Sequence, residues 1–305
     1  MKKQKSGGSF RTKGETIVAK AIRTVPGFGD TYRKFEQQIT LEQGSKSALQ
    51  NYGRSIAKIA NHFGVDPLHL GLDQINDYLY TLLKTSSPSK SYFRHTVYGL
   101  KSLYRMFGLQ SKALQMPPIK DPDTLPVVLS KEEVKKLLSC TENLKHRVML
   151  ALLYSSGLRM NEARTLRIND IDSDRMQIHV RMGKGRKDRY VVLSELLLKG
   201  LRDYYRKERP EVYLFNGHTP GKPMGERSIQ WIINEAVEKA GIQKPATCHT
   251  LRHSFATHLL ENGVDLFSIK EQLGHARIDT TLVYLHIARV SPKTVKSPLD
   301  TLYGK

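Results

Sequence analysis

The stretch HTLRHSFATHLL, from His249 to Leu260, sets two histidines four residues apart around Arg252, with a third, His258, further along. Residues three or four apart share a helix face. His249 and Arg252 therefore project together, on a different side from the apolar stripe of Leu251, Phe255 and Leu259. A zinc site would need the histidines to converge on a cation, which Arg252 opposes, and no glutamate completes an H-E-x-x-H pattern. An anion suits this face better, and the backbone N–H groups of a helix start add to that preference. His253 and His258 read as structural groups, satisfied by hydrogen bonds inside the fold.

Four other places carry residue types that could act on an anion. In SSGLRMNEARTL, Arg159 follows a glycine turn, and Glu162 lies one helical turn away, able to orient it; alone, such a pair is an ordinary surface ion pair. GKGRKD sets Lys184 between glycines at the bend of a ribbon, beside Arg186 and Lys187. The segment does not match a P-loop; such a ribbon can project a lysine toward DNA, and a nonspecific phosphate contact is the alternative. In KEQLGHARIDTTLVYLHI, Gly274 ends one helix, His275 stands just past it, Asp279 is expected to N-cap the next, and Tyr284 lies inside that next helix. An isolated tyrosine at such a place is usually core. Asp170, Asp172 and Asp174 begin like a calcium loop, but arginines occupy the required glycine and glutamate positions, so they read as a strand entry.

The elements that must position these residues fall into two groups. From Tyr32 to about Gln110 apolar residues recur at helical intervals: Leu49, Tyr52, Ile56, Ile59 and Phe63; Ile75, Leu79 and Leu82; Phe93, Val97, Leu100, Tyr104 and Phe107. This predicts a small helical bundle. Lys90, Arg94, Lys101 and Arg105 fall outside the last stripe, either along a phosphate backbone or on a solvated face. QMPPIKDPDTLPVVLS, with four prolines, reads as an interdomain linker. Beyond it Ser130 and Glu133 form a capping-box pattern, and HRVMLALLYSSG is a helix stopping at Gly157. The period then shifts toward two in MQIHVRM and RYVVLS, which predicts strands joined by the GKGRKD turn, before helices resume. The expected organisation is a flexible basic terminus over 1–27, a helical domain over 28–115, a linker over 116–128, a second domain over 129–290 and a tail over 291–305.

Composition narrows the partner. The chain has 305 residues with 49 Lys and Arg against 29 Asp and Glu, a net charge of +20. Such a surplus calls for a polyanion, and double-stranded DNA is the expected partner. Cys140 and Cys248 are far apart and give neither a disulfide framework nor a zinc knuckle. The basic start lacks an apolar segment behind it, and no run approaches the ~18 apolar residues of a membrane span, so a cytoplasmic protein is expected.

The order Arg159, Lys184, His249-x-x-Arg252, His275, Tyr284 resembles the catalytic signature of the tyrosine recombinase (phage integrase) family. HTLRHSFATHLLENG and LGHARIDTTLVYLH are similar to the bacterial Xer-type and mobile-element integrase branch. Asn161 and Ala163 stand where relatives commonly carry serine and a larger apolar residue, and SPKTVKSPLDTLYGK differs from the usual Xer terminus. The resemblance implies a mainly α fold with a small antiparallel β-sheet: an N-terminal helical core-binding (SAM-like) domain and a C-terminal catalytic domain. It further implies Arg159 and Arg252 on the nonbridging phosphate oxygens, His275 donating to them, Tyr284 as nucleophile with His249 as helper, Lys184 as general acid and Glu162 supporting Arg159. A 3′-phosphotyrosyl intermediate with no metal or other cofactor is implied, as is a homo-oligomer, a tetramer on two DNA sites, associated with the nucleoid. Two other readings remain at this point: a type IB topoisomerase-like DNA relaxer and a noncatalytic DNA-binding factor.

Overall fold

The computed structural model describes residues 15–42, 44–86, 89–116, 125–181, 188–219 and 221–288. It divides into two units, Met1–Pro122 and Asp123–Lys305. Residues 117–124 of the expected linker, the turn at 182–187 and the tail from 289 lie outside the described residues.

The first unit is helical: α1 (Ile17–Thr24), α2 (Phe28–Leu41), α3 (Lys46–Phe63), α4 (Leu72–Ser86), α5 (Lys90–Met106) and the short α6 (Gln110–Gln115). The first of these corrects the expectation of a flexible terminus through residue 27. Thr16 caps the helix by accepting from the Ala19 N–H, and Ala21 and Val25 are buried against Phe28, Phe35 and Ile56. The apolar residues of TIVAKAIRTV fall on one face and bury there, which stabilises a segment whose basic composition suggests otherwise. A second cluster forms where Ile59 of α3 meets Ile75 and Leu79 of α4 and Val97, Leu100 and Tyr104 of α5. Among the described residues no helix is long and apolar enough to cross a membrane.

The second unit opens with α7 (Lys131–Ser139), started by the Ser130–Glu133 capping box, followed by α8 (Leu144–Ser155) and α9 (Met160–Thr165). Three short antiparallel strands follow, β1 (Ile171–Asp172), β2 (Gln177–Val180) and β3 (Arg189–Val192), in the order β1-β2-β3. Val180 pairs with Arg189 at the end of the β2–β3 ribbon next to the 181–188 connection, and Gln177 with Val192 at the other end. The acidic stretch at 170–174 thus supplies a third strand to the ribbon predicted from period-two patterning. Then come α10 (Glu195–Glu208), α11 (Glu226–Lys239), α12 (Cys248–Glu261), α13 (Leu266–Leu273), α14 (Asp279–Leu282) and a 3₁₀ turn over Val283–His286.

The largest core gathers residues of α7, α8, β2, β3, α10 and α11, with Leu251 of α12. The other side of α12 packs Phe255, Ala256 and Leu260 against Ile269, Leu273 and Tyr284. The helix is therefore buried almost all round rather than along a single stripe, because it lies between two clusters. Ser254 donates to the Thr250 carbonyl and accepts from the Leu129 N–H, and His258 Nδ1 pairs with the Tyr154 hydroxyl at 2.9 Å, while the buried Thr257 hydroxyl has no hydrogen-bond partner among the described residues.

Candidate active site

A helix ends with carbonyl groups that have no partner inside it and with the negative pole of its dipole. At the end of α13 three successive carbonyls are each met by an arginine from a different element. Arg189 of β3 donates from Nε to Gln272 O at 3.1 Å, Arg252 of α12 from Nη2 to Leu273 O at 2.6 Å, and Arg159 from Nη2 to Gly274 O at 3.3 Å. Gly274 turns the chain away in the left-handed conformation, φ 62°, where an added Cβ would also lie 2.9 Å from Arg189 Cδ. Arg252 is held from its other side too, donating from Nη1 to Gly157 O at 2.6 Å, and is 3% exposed. Two carbonyls thus fix the plane of its guanidinium, and the residue lines the cleft beside Arg159.

Glu162 ties two of these arginines together. Its carboxylate accepts from the Arg159 N–H at 2.8 Å, from Arg159 Nη1 at 2.9 Å, and from Arg189 Nη1 and Nη2 at 2.9 and 2.8 Å. Burial would raise the carboxyl's pKa, but the hydrogen bonds and charge of Arg189, followed by those of Arg159, hold it down at about 2. Burial and the charge of Arg159 pull Arg252 down to about 10, which leaves it protonated at neutral pH. Three guanidinium groups against one carboxylate make an anion-seeking centre.

Arg189 is the residue that sequence reasoning missed. The signal was present in RYVVLS: side chains alternate along a strand, so Arg189 shares the inward phase of Val191. An arginine on the buried face of a strand needs an anion, and Glu162 is that anion.

Tyr284 and three histidines complete the cleft, which encloses about 520 Å³ and is lined by Arg159, His249, Arg252, His253, His275 and Tyr284. His249 is solvent-exposed in the first turn of α12, and Thr247 caps that helix. His275 follows Gly274 directly, and its Nδ1 pairs with Thr281 Oγ1 at 2.9 Å, which leaves Nε2 for the cleft. Burial, then the nearby charges of Arg252 and Arg159, push its pKa down to about 4. Tyr284 sits in the 3₁₀ turn after α14 and is 1% exposed. Burial raises its pKa, while Arg252 and Arg159 pull the other way.

His253 is satisfied by a hydrogen bond inside the fold, as expected, and its partner is Tyr284, whose Oη lies 3.0 Å from Nδ1. One expectation changes here. Asp279 does not N-cap α14; Ile278 precedes that helix in helical conformation, and Asp279 is its first residue, its carboxylate accepting from Arg277. Lys184, Arg186 and Lys187 lie outside the described residues, as does the side chain of Lys90. Arg94, Lys101 and Arg105 belong to α5 in the other unit, where Lys101 and Arg105 line a groove with Tyr52 and Tyr98. Among the described residues no three His, Cys, Asp or Glu side chains gather as a metal site would require.

Residues 127–290 match the Phage integrase family. The chain is 32% identical over 274 residues to the tyrosine recombinase XerA of Pyrococcus horikoshii, covering 89% of this chain and 93% of that protein. It is 33% identical over 279 residues to an integrase/recombinase of Escherichia coli, covering 77% of this chain and 82% of the relative. In fold it matches the XerH site-specific recombinase, solved bound to its palindromic difH substrate in a post-cleavage complex. The TM-score is 0.70 at 18% identity over 96% of this chain and 90% of that one. On its sequence the chain belongs to the phage integrase family, the tyrosine recombinases, and is a site-specific DNA breaking and rejoining enzyme.

Proposed function

We propose that Arg159, Arg252 and His275 grip the scissile phosphate of duplex DNA and that Tyr284 attacks its phosphorus. The observation that carries this reading is the placement of Arg159 and Arg252 on the adjacent carbonyls of Gly274 and Leu273, in the cleft that Tyr284 lines. Forked guanidinium groups fit nonbridging phosphate oxygens and stabilise the charge that grows there as the phosphorus becomes five-coordinate. Neutral His275, anchored by Thr281, offers a further donor from Nε2. Glu162 acts by positioning Arg159.

The step exchanges one phosphoester for another. The Tyr284 Oη–P bond forms, the P–O5′ bond breaks, and the 5′ oxygen leaves as a hydroxyl with a proton from Lys184. A 3′-phosphotyrosine conserves the bond energy, and the 5′-hydroxyl of a second duplex reverses the reaction without ATP. Exchange of strands between two duplexes then requires a tyrosine at each cut, so four protomers on two sites are the expected assembly. The net charge of +20 supports a largely sequence-independent attraction to DNA, and the groove bearing Lys101 and Arg105 on α5 is a second contact. Such an enzyme works in the cytoplasm, on the nucleoid.

The test is a nicked suicide duplex from which the cut 5′ strand diffuses away, incubated with the protein and with Tyr284→Phe. Wild type is expected to trap a covalent complex. The variant is expected to bind the duplex with the same affinity and trap none, and an adduct in the variant would overturn the assignment.

A further inference from the structure

Within that reading of Tyr284 as nucleophile, we propose that His253, and not His249, takes the phenol proton as Tyr284 attacks, and that the same contact holds the phenol in place before DNA arrives. His253 Nδ1 stands 3.0 Å from Tyr284 Oη, within direct proton-transfer reach, with the ring centroids 5.7 Å apart. It is the one hydrogen-bond partner of that hydroxyl among the described residues. His249 lies one turn earlier on α12, with its ring centroid 6.4 Å from that of His253, and makes no hydrogen bond to the phenol. It is solvent-exposed and lines the same cleft.

The charge around His253 sets when the transfer occurs. Facing its ring are His249 and Arg252 on α12, His275 beyond α13 and Tyr284 from the 3₁₀ turn. Burial, with His249 and Arg252 adding to it, keeps the imidazolium unfavourable and its pKa down at about 4, so the ring is neutral and able to accept. Burial also raises the pKa of the phenol, so in the empty cleft the proton stays on Tyr284. A bound phosphodiester brings a negative charge beside Arg252 and Arg159 and offsets the repulsion that an imidazolium at 253 would meet. The substrate thus makes the transfer favourable at the place where the nucleophile is needed. As the Oη–P bond forms, the Oη proton passes to Nδ1 of the Nε2–H tautomer. The 5′ oxygen takes its proton from Lys184 as the P–O5′ bond breaks, and His253 returns its proton to Oη on rejoining.

Single-turnover covalent capture on a duplex with a 5′-bridging sulfur isolates this transfer, because the thiolate leaves without a proton. His253→Asn keeps a hydrogen-bonding group near the Nδ1 position but cannot take the proton. It is expected to bind DNA as wild type does and to cleave about 10²–10³-fold more slowly near pH 7. Its rate is expected to rise about tenfold per pH unit as the phenol ionises, where wild type is flat. His249→Asn is expected to slow cleavage without changing the shape of the profile. In His253→Ala, added imidazole is expected to restore part of the rate. A wild-type rate in His253→Asn, a loss that pH does not relieve, or an alkaline rescue specific to His249→Asn would each overturn the proposal, as would a folded, DNA-binding His253→Ala that imidazole leaves unchanged. Tyr284→Phe on the same duplex separates the two readings: an adduct there removes Tyr284 as nucleophile, whereas slow His253 variants beside an inert Tyr284→Phe uphold both.

Discussion

Arg189 and Glu162, 27 residues apart in the chain, face each other through two parallel hydrogen bonds of 2.9 and 2.8 Å, with side chains only 12% and 7% exposed. Through this pair β3 is fixed to the carboxylate that also holds Arg159. Removing one partner of a buried pair leaves the other uncompensated. Arg189→Met is expected to lower unfolding free energy by about 3 kcal/mol in urea titrations. In a double-mutant cycle with Glu162→Gln the two losses are expected to be far from additive, whereas additivity would mean that the pair is not coupled.

The same carboxylate gives the protein an acid limit. The folded pKa of Glu162 is about 2 against an ordinary 4.5, so its stabilising contribution is complete above pH 4.5 and is lost as pH falls through the folded value. The depression corresponds to on the order of 3 kcal/mol at neutral pH. Stability measured from pH 5 to pH 2 is expected to fall less steeply in Glu162→Gln than in wild type; parallel curves would count against the ion-pair account.

Gly157 holds Arg252 by its carbonyl and sits at φ 58°, where a Cβ would meet Phe255 Cδ1 at 2.4 Å. Gly157→Ala therefore meets both backbone strain and overpacking, and is expected to cost at least about 2 kcal/mol of stability. Because the carbonyl must shift, cleavage is expected to fall further than the melting temperature alone explains, as judged by rates measured well below the unfolding transition.

Arg252→Lys keeps the charge but loses the fork that reaches Gly157 O, Leu273 O and the cleft together. Capture on the suicide duplex is expected to slow about 10²–10³-fold while DNA affinity changes little. A weakened affinity with an unchanged cleavage rate would instead assign Arg252 to ground-state binding.

What the sequence made legible were residues whose chemistry is fixed locally. Arg159 after a glycine turn, the H-x-x-R spacing of His249 and Arg252, and His275 just past a helix-ending glycine could all be singled out because neighbours a few positions away define their setting. The structure brings these four and Tyr284 to one cleft. The meeting of three arginines on the α13 carbonyls was not legible, because it depends on how β3, α9 and α12 pack around one helix end. That the internal hydrogen bond of His253 goes to Tyr284 was hidden for a similar reason: this partner lies 31 residues further on, in a turn packed in the cluster around Phe255 and Leu273. The helix at Ile17–Thr24 was hidden by its charge, since the burial of Ala21 and Val25 outweighs the basic residues around them.

The most direct measurement is mass spectrometry of the peptides from a trapped protein–DNA complex. The account predicts a single modified peptide whose fragments carry the 3′-terminal nucleotide on Tyr284. Attachment at any other side chain, or a trapped strand joined through its 5′ end, would contradict it.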